Sequence, residues 1–173
     1  MKNGCLLLIL TSLLFVHPFI THANENKLSL TSPDFSNGGF IPSEYTCDGK
    51  NINPQLLIKN VPKGTKSLVL IIEDPDAPSG VWIHWLLWNI KPTVKIIKHG
   101  EAPSGAVSGI NDFGNHGYGG PCPPWGTHRY LFKLFALDTI LNIKTDAKKQ
   151  DIENAMKSHI ISHAELIGLY KKK

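Results

Sequence analysis

The amino-acid sequence predicts a mainly β fold with one or two helices near the C-terminus. Up to about residue 138, apolar runs rich in branched residues alternate with turn-forming segments, which is the pattern of strands joined by loops. Glycine and proline make up 27 of the 173 residues, and only 18% of the residues are charged. This composition is typical neither of a disordered chain nor of a helical bundle.

The first 23 residues are expected to be a secretory signal peptide. One lysine precedes an almost purely apolar run at residues 5–16, and Ala23 supplies the small residue that signal peptidase requires. The run is too short to span a bilayer, which takes about 20 apolar residues. Cleavage after Ala23 would leave one domain of 150 residues, 24–173, without a transmembrane segment. We expect this domain in the periplasm or outside the cell.

Six strands and one helix are predicted along this domain. The strands are expected at residues 27–31, 55–61, 67–73, 82–90, 95–98 and 128–137. The helix is predicted because apolar residues recur on one helical face, at Ile152, Ala155, Met156, His159 and Ile160. Thr145 or Asp146 could provide its N-cap. Residues 166–170 are interpreted as a possible final strand.

Charge and cysteine content limit the classes of function. Removal of the signal peptide lowers the formal net charge from +4 to +3, and no basic stripe that would bind nucleic acid is present. Two cysteines remain, Cys47 and Cys122. In an oxidising compartment they could form a disulfide, although two separate buried thiols are an equally acceptable interpretation.

A buried strand runs directly into the sequence EDPDAPSG at residues 73–80. Proline fixes the backbone φ angle, so this turn should be stiff and should hold Asp74 and Asp76 in defined positions. An ordinary acidic turn is the alternative interpretation, because aspartate and proline are common in turns.

The next strand carries three tryptophans and a histidine. Strand periodicity predicts that Trp82, His84, Leu86 and Trp88 share one face. A lone histidine on such a face is more often a core residue with satisfied hydrogen bonds than a ligand. The proximity of His84 to Asp76 in the sequence favours a functional role, because a neighbouring carboxylate would orient or charge its ring.

A glycine- and proline-rich segment, residues 114–126, leads into a strand that begins His128-Arg129-Tyr130. Glycines allow a backbone to approach a ligand closely and to present its amides. His128 and Tyr130 should share one face of the strand. Arg129 is the single arginine of the chain, and its planar guanidinium suits a structural pair with Asp74 or Asp76.

These segments together resemble the phosphatidylethanolamine-binding protein family, and in particular its bacterial Raf-kinase-inhibitor-like branch. The resemblance is carried by DPDAPSG, WIHW, GGPCPPWGTHRY, TCDGKNINPQL and AELIGLY, which cover the domain in order. It implies an antiparallel β-sandwich with peripheral helices. It also implies one small surface pocket for phosphate-like anions, with no cofactor and no metal.

The resemblance also implies which residues form that pocket. The implied ligand-binding residues are Asp74, Asp76, Trp82, His84, Gly120, Pro121, Cys122, Pro123, His128 and Tyr130. Two departures from the family pattern lie nearby. Trp125 stands where many relatives have a lysine, and Thr127 is a single residue where some relatives have two or three. Either change could alter ligand preference without abolishing the pocket.

The residues and the resemblance favour a small-anion-binding module over an enzyme. The expected ligand is phosphate or a phosphorylated head group, and binding should tighten at mildly acidic pH if an aspartate keeps a histidine cationic. A protein partner is conceivable but is not identified by the sequence. The alternatives are a hydrolase that uses the Asp/His pocket, with Cys122 as candidate thiol, and a metal site built from Asp74, His84, His116 and His128.

Overall fold

The computed structural model describes residues 27–172, so the expected signal peptide and its cleavage site lie outside the described residues. The strands are β1 (Ser29–Thr31), β2 (Gly39–Phe40), β3 (Leu56–Lys59), β4 (Ser67–Asp74), β5 (Trp82–Ile90), β6 (Ile96–Ile97), β7 (Val107–Ser108), β8 (Thr127–Leu137) and β9 (Ile160–Lys171). One helix, α1 (Lys149–Met156), and one short 3-10 turn, Ser43–Tyr45, complete the elements of this region. Within it, no helix has the length and apolarity needed to cross a membrane.

Two sheets form the fold. The smaller sheet has the strand order β1-β3-β6, and the larger has the order β2-β9-β8-β4-β5-β7. All pairs are antiparallel except the short pair of β2 with β9, which is parallel. The predicted mainly β class is therefore confirmed, with a single α-helix near the C-terminus.

The two sheets share one hydrophobic core. Leu30, Leu56 and Ile58 of the small sheet pack in the same cluster as Leu70 and Phe132 of the large sheet. β4 lies at the centre of the large sheet, and all eight of its residues are buried. This explains why its sequence is continuously apolar from Leu68 to Ile72 rather than alternating, since both of its faces are covered.

A second cluster covers the other face of the large sheet. Ile152 and Met156 of α1 pack with Ile71, Leu86 and Trp88 there. The burial of β8 alternates, with inner residues buried and outer ones partly exposed. The layer that contains α1 thus covers β4 and β5 more completely than it covers β8.

The C-terminal helix is shorter than predicted. It begins after Lys148, whose backbone N–H donates to Asp151 Oδ2 (2.9 Å), so neither Thr145 nor Asp146 provides the N-cap. It ends at Met156, and the prediction that His159 and Ile160 continue its face is wrong. Tertiary pairing outweighs the local pattern here. The possible strand at residues 166–170 is confirmed and begins earlier, because β9 pairs with β8 from Ile160 onward.

A β-bulge changes the predicted face of β5. Ile72 pairs with Trp85, while Glu73 pairs with Ile83, so His84 is an extra residue without its own partner on β4. A bulge of this kind reverses the in–out alternation of the strand. The prediction that His84 shares a face with Leu86 and Trp88 is therefore wrong, because those two residues lie in the cluster next to α1.

Candidate functional site

Three strand ends meet at one edge of the large sheet. β4 runs antiparallel to β5 and to β8, so the end of β4 lies beside the start of both neighbours. This topology brings together Asp74 at the end of β4, Trp82 at the start of β5 and His128 near the start of β8. Asp74 and His128, which are 54 positions apart in the sequence, become neighbours for this reason.

A cleft of about 210 Å³ opens at this edge. It is lined mostly by apolar side chains, with Asp74, Ser79 and His128 as the polar ones. The full lining consists of Asp74, Ala77, Pro78, Ser79, Trp82, Phe113, Cys122, Pro123, Pro124 and His128. A small, largely apolar cleft with a few convergent polar groups is the usual form of a small-ligand site.

Asp74 and His128 form the polar centre of the cleft. His128 Nδ1 lies 2.7 Å from Asp74 Oδ2, and both side chains are about 95% buried. With Asp74 ionised, Nδ1 keeps its proton and donates a hydrogen bond to the carboxylate, which fixes both the ring orientation and the tautomer. The second ring nitrogen, Nε2, is then left to interact with whatever occupies the cleft.

Asp76 does not line the cleft and instead holds Arg129. Its carboxylate accepts hydrogen bonds from the backbone N–H of Arg129 (2.9 Å), from Nε (2.9 Å) and from Nη2 (2.7 Å). The side-chain hydrogen bond from Arg129 is the main reason that the pKa of Asp76 falls to about 2. Of the two aspartates considered as partners of Arg129, the structure selects Asp76.

Asp74 and Asp76 are also linked to each other. The backbone N–H of Asp76 donates to Asp74 Oδ1 (2.8 Å), while the other oxygen of Asp74 accepts from His128. The turn after β4 thus positions the Asp74 carboxylate from both sides. Asp76 is a positioning residue for this reason rather than a ligand-contacting one.

His84 lies behind the cleft as a buried core residue. Its Nδ1 donates to the backbone oxygen of Gly119 (2.6 Å), and the Gly119 N–H donates back to the His84 oxygen (2.9 Å). Burial lowers the pKa of His84. Its ring makes edge contacts with Tyr130 and Phe113. This environment disfavours a charged imidazole at His84, and of the two histidines only His128 lines the cleft.

Tyr130 is fully buried beneath the same site. Among residues 27–172, no group meets its hydroxyl with hydrogen-bond geometry. Burial, followed by the negative charge of Asp74, raises the pKa of Tyr130. The hydroxyl therefore remains protonated at physiological pH and lies close to the Asp74 carboxylate.

The glycine-rich segment holds the wall of the cleft. The Gly120 N–H donates to Asn51 Oδ1 (2.7 Å), so this amide is not presented to a ligand as expected. A Cβ at Gly120 would come within 2.6 Å of the Tyr45 backbone oxygen, which explains why glycine is required there. The Pro121 oxygen accepts from the Cys47 N–H (3.1 Å), and the structure joins Cys47 to Cys122 in a disulfide.

Half of the implied ligand-binding residues line the cleft, and the other half support it. The lining residues are Asp74, Trp82, Cys122, Pro123 and His128, and the supporting ones are Asp76, His84, Gly120, Pro121 and Tyr130. Five further residues line the cleft and were not predicted, namely Ala77, Pro78, Ser79, Phe113 and Pro124. Four of these belong to residues 73–80 or 114–126, whose composition had already indicated a site. Phe113 was not predictable from the sequence, because only folding brings it into contact with Trp82 and His84.

The alternatives based on a thiol or on a metal receive no support from these residues. Cys122 is bonded to Cys47 and has no free thiol. Within residues 27–172, no group of three or more His, Cys, Asp or Glu side chains is arranged to hold a metal ion. His116, one of the candidate metal ligands, bonds through Nδ1 to the backbone oxygen of Ser108 (2.7 Å) and does not line the cleft.

Comparison with known proteins gives consistent matches over the domain. The sequence profile described as phosphatidylethanolamine-binding protein matches residues 31–171. The UPF0098 protein of Methanothermobacter thermautotrophicus is 49% identical over 150 residues, covering 84% of this chain and 99% of that protein. The UPF0098 protein of Chlamydia trachomatis serovar D is 45% identical with the same coverage.

Two solved structures are similar to the chain as well. A phosphatidylethanolamine-binding protein homolog from Chlamydia trachomatis has a TM-score of 0.82 and 44% identity, covering 86% of this chain and 99% of that one. Escherichia coli YbcL, described as a new member of the mammalian PEBP family, has a TM-score of 0.79 and 33% identity, covering 85% and 99%.

Proposed function

The chain belongs to the phosphatidylethanolamine-binding protein family, and from this premise we propose that its cleft binds a small anionic group. The ligand class is phosphate or a phosphorylated head group. The protein acts as a binding or regulatory module rather than as an enzyme. The observation that carries this proposal is the buried Asp74–His128 pair at the centre of a small apolar cleft.

The geometry explains how an acidic residue can belong to an anion site. Asp74 is occupied by His128 on one oxygen and by the Asp76 N–H on the other. With Nδ1 held by this carboxylate, Nε2 is the ring nitrogen that remains for the cleft, and it donates to an anion whenever the ring is protonated. The nearby Asp76 charge is neutralised by Arg129.

The size of the cleft favours a head group over a whole lipid. About 210 Å³ is below the roughly 300–1,000 Å³ of clefts that enclose drug-sized ligands. Exposed apolar side chains, Val81 (48%), Phe113 (42%) and Trp125 (66%), belong to or adjoin the lining segments in the sequence. Trp125 provides an exposed apolar surface where the family resemblance implies a lysine, and this favours ligands whose anion is attached to an apolar group.

Titration calorimetry with sulfate and with phosphoethanolamine tests the proposal. His128→Ala should weaken binding by about 10- to 100-fold, because a hydrogen bond to a charged group is worth about 1.5–3 kcal/mol. His159→Ala is the matched control, since His159 also bonds to an aspartate, Asp138, but lies away from the cleft. Equal affinity of wild type and His128→Ala would contradict the proposal.

The same titration at about pH 5.5 and pH 7.5 tests the cationic role of His128. Histidine changes charge in this range, whereas sulfate does not. The affinity of the protein for sulfate should therefore rise as the pH falls. The other charged groups near the ring are Asp74 and the Asp76–Arg129 pair, in which hydrogen bonding from Arg129 lowers the pKa of Asp76 to about 2. Equal affinity at both pH values would overturn the cationic role.

The hydrolase alternative rests on the same pair of residues. An aspartate-oriented histidine can act as a general base, and Ser79 supplies a hydroxyl in the cleft. Turnover of phosphoester substrates that is lost in both His128→Ala and Ser79→Ala would establish an enzyme. We expect no turnover of phosphoester substrates, because a binding function alone accounts for the arrangement of these residues.

Export of the protein is part of the proposal. The expected cleavage after Ala23 would give a mature chain that begins at Asn24. A disulfide between Cys47 and Cys122 fits an oxidising compartment. The intact mass of the protein recovered from the periplasm of an expressing Gram-negative cell checks this, and retention of the full 173-residue mass would contradict it.

A further inference from the structure

The end of the large sheet opposite the cleft differs from the cleft end in charge. The cleft lies where β4 ends, and the opposite end is formed by the start of β4 and its neighbours. Ser67 of β4 pairs there with Leu137 of β8, and Leu137 pairs with Ile160 of β9. Leu68 of β4 pairs with Ile90 of β5. Since β4 has eight residues, at about 3.3 Å per residue this end lies roughly 25 Å from the cleft.

Six lysines gather at this end, which we call the basic end. The connections at residues 60–66 and 91–95 are short, so the end of β3 and the start of β6 lie beside the start of β4 and the end of β5. The start of β1 lies there too, because Ser29 pairs with Lys59. The lysines on these segments are Lys27, Lys59, Lys63, Lys66, Lys91 and Lys95.

The charges of these six lysines are not neutralised by carboxylates. All six side chains belong to exposed residues. In the described part of the chain, the lysines that pair with carboxylates are Lys50, Lys133 and Lys149, and none of them lies at the basic end. Residues 55–72 and 77–100, which supply five of the six lysines, contain neither aspartate nor glutamate.

The basic end has few other charges. Asp138 follows β8 and bonds to His159. The segment that leads toward α1, residues 139–147, adds exposed Lys144 and Asp146, whose charges offset each other. The positive charge of the domain is therefore concentrated at the basic end.

Exposed isoleucines lie beside these lysines. Ile140 is 64% exposed, and the two isoleucines at residues 160–161 are 41% and 40% exposed. The Ser67 hydroxyl donates to the Thr139 backbone oxygen (2.5 Å). Ile140, the next residue, therefore lies beside the start of β4 and Lys66. An exposed apolar patch with a polar rim is typical of an interaction surface.

We propose that the basic end binds the surface of a bilayer that contains anionic lipids. The lysines contact the phosphates of the lipid head groups, while Ile140 and residues 160–161 enter the apolar boundary beneath them. Interfacial binding of this kind combines burial of apolar surface with attraction of lysines to anionic lipids. The cleft then lies on the side away from the membrane and stays open to solution.

The composition of the basic end favours a bilayer over a nucleic acid. Arginine forks, which read phosphates and base edges with defined geometry, are missing, because the single arginine of the chain bonds to Asp76 beside the cleft. Sites for single strands stack bases on aromatic side chains. In the described region, the exposed Phe and Trp side chains, Phe40, Phe113 and Trp125, belong to segments near the cleft end.

Vesicle sedimentation tests the role of the lysines. The expected mature chain, residues 24–173, is used, because the apolar run at residues 5–16 would bind vesicles by itself. It should bind vesicles of phosphatidylcholine and phosphatidylglycerol in equal parts, but not vesicles of phosphatidylcholine alone. Lys66→Gln with Lys91→Gln should lower the partition coefficient about 25-fold, since each lysine near an anionic surface contributes about fivefold.

The matched control removes the same charge at the cleft end. Lys171, which pairs with Thr127, and Lys172 are both exposed. Lys171→Gln with Lys172→Gln should change the partition coefficient by less than about twofold, because these lysines lie more than a Debye length from the bound surface. An equal loss in the two double variants would overturn the proposal.

Serine substitution tests the apolar contact. Ile140→Ser should lower the partition coefficient about tenfold, because the buried isoleucine side chain is lost. Phe40→Ser, at an exposed apolar site near the cleft end (62%), is the control and should have no effect. All variants should keep the sulfate affinity of wild type, which tests the cleft separately. No binding to the anionic vesicles, or binding to a DNA duplex at protein concentrations where these vesicles stay unbound, would overturn the proposal.

Discussion

Asp76 shows how a residue outside the cleft can determine the geometry inside it. Three hydrogen bonds from Arg129 attach its carboxylate to the start of β8, and its own N–H orients Asp74. The turn after β4 is thereby fixed to the strand that carries His128. Arg129, the single arginine of the chain, thus provides at this position a bidentate fork that lysine cannot reproduce.

The Asp76 carboxylate should contribute to stability in a defined pH range. Its pKa is lowered to about 2 in the folded protein, compared with about 3.9 in an unfolded chain. The contribution of this charge is therefore complete above the unfolded value and is lost as the pH falls toward the folded value. The free energy of unfolding of Asp76→Asn should lie below that of wild type at pH 6, and the two should converge near pH 2.

Urea titrations at pH 6, 4 and 2.5 measure this difference. Asp138→Asn is the control, because Asp138 bonds to His159 at an exposed site far from Arg129. A difference between wild type and Asp76→Asn that stays constant down to pH 2.5 would contradict the role of the charge. The pair is largely exposed, so only the direction and the pH range are predicted.

At the scale of elements, a buried glutamate joins α1 to the large sheet. Glu73 lies on β4 with its side chain 4% exposed, and it pairs with Lys133 of β8 and with Lys149 of α1. Burial alone would raise the pKa of Glu73, but hydrogen bonds from both lysines outweigh it, and the pKa is lowered. The residue beside Asp74 in the sequence thus has a structural task on the opposite face of the sheet.

Glu73→Gln should destabilise the fold by about 1–3 kcal/mol, because it leaves two lysines without their carboxylate at a buried position. The lysines are partly exposed, which keeps the cost below that of a fully buried pair. Chemical denaturation measures the loss, with the exposed Glu101→Gln as control. Anion affinity should be unchanged, because Glu73 does not line the cleft. An unaltered unfolding free energy would show that the network is not stabilising.

Strand positions were predictable where burial on both faces makes a strand continuously apolar. They were less predictable where the position depends on pairing with another strand. The long apolar runs of β4, β5 and β8 identified these strands within one residue at each end. The bulge at His84 was not predictable, because it follows from the pairing of β5 with β4. The same reason applies to Ile160, whose apolar spacing suits a helix but whose backbone pairs with β8.

At the scale of the whole molecule, the disulfide closes a long segment of the chain around the site. Cys47 and Cys122 are 75 positions apart, and the loop they close contains the five strands from β3 to β7. Cys122 lines the cleft, and Cys47 lies in the segment that receives the glycine-rich loop. The bond therefore holds one wall of the cleft as well as stabilising the fold.

Replacing both cysteines by serine should lower the unfolding free energy by about 2–5 kcal/mol. It should also weaken anion binding, because the wall that contains Cys122 and Pro123 loses its covalent attachment. Denaturation and calorimetry on the double variant, compared with the oxidised wild type, measure the two effects separately. Lower stability with unchanged affinity would show that the disulfide serves the fold alone.

The sequence indicated the parts of the site but not their roles. The segments around Asp74 and His128 were recognisable, since proline, glycine and histidine are unusual in such density. Whether Asp74 would meet His84 or His128 depends on the sheet order and on a bulge, which no local pattern determines. Phe113 was missed for the same reason, because only the folded loop brings it to Trp82.

The nitrogen resonances of the histidine side chains, followed by NMR during titration with sulfate, test the central claim most directly. The account predicts that Nε2 of His128 shifts with saturation as the anion binds, while Nδ1 stays bonded to Asp74 and the resonances of His84 change little. A saturating shift at another histidine, or none at His128, would contradict an anion site at the Asp74–His128 pair.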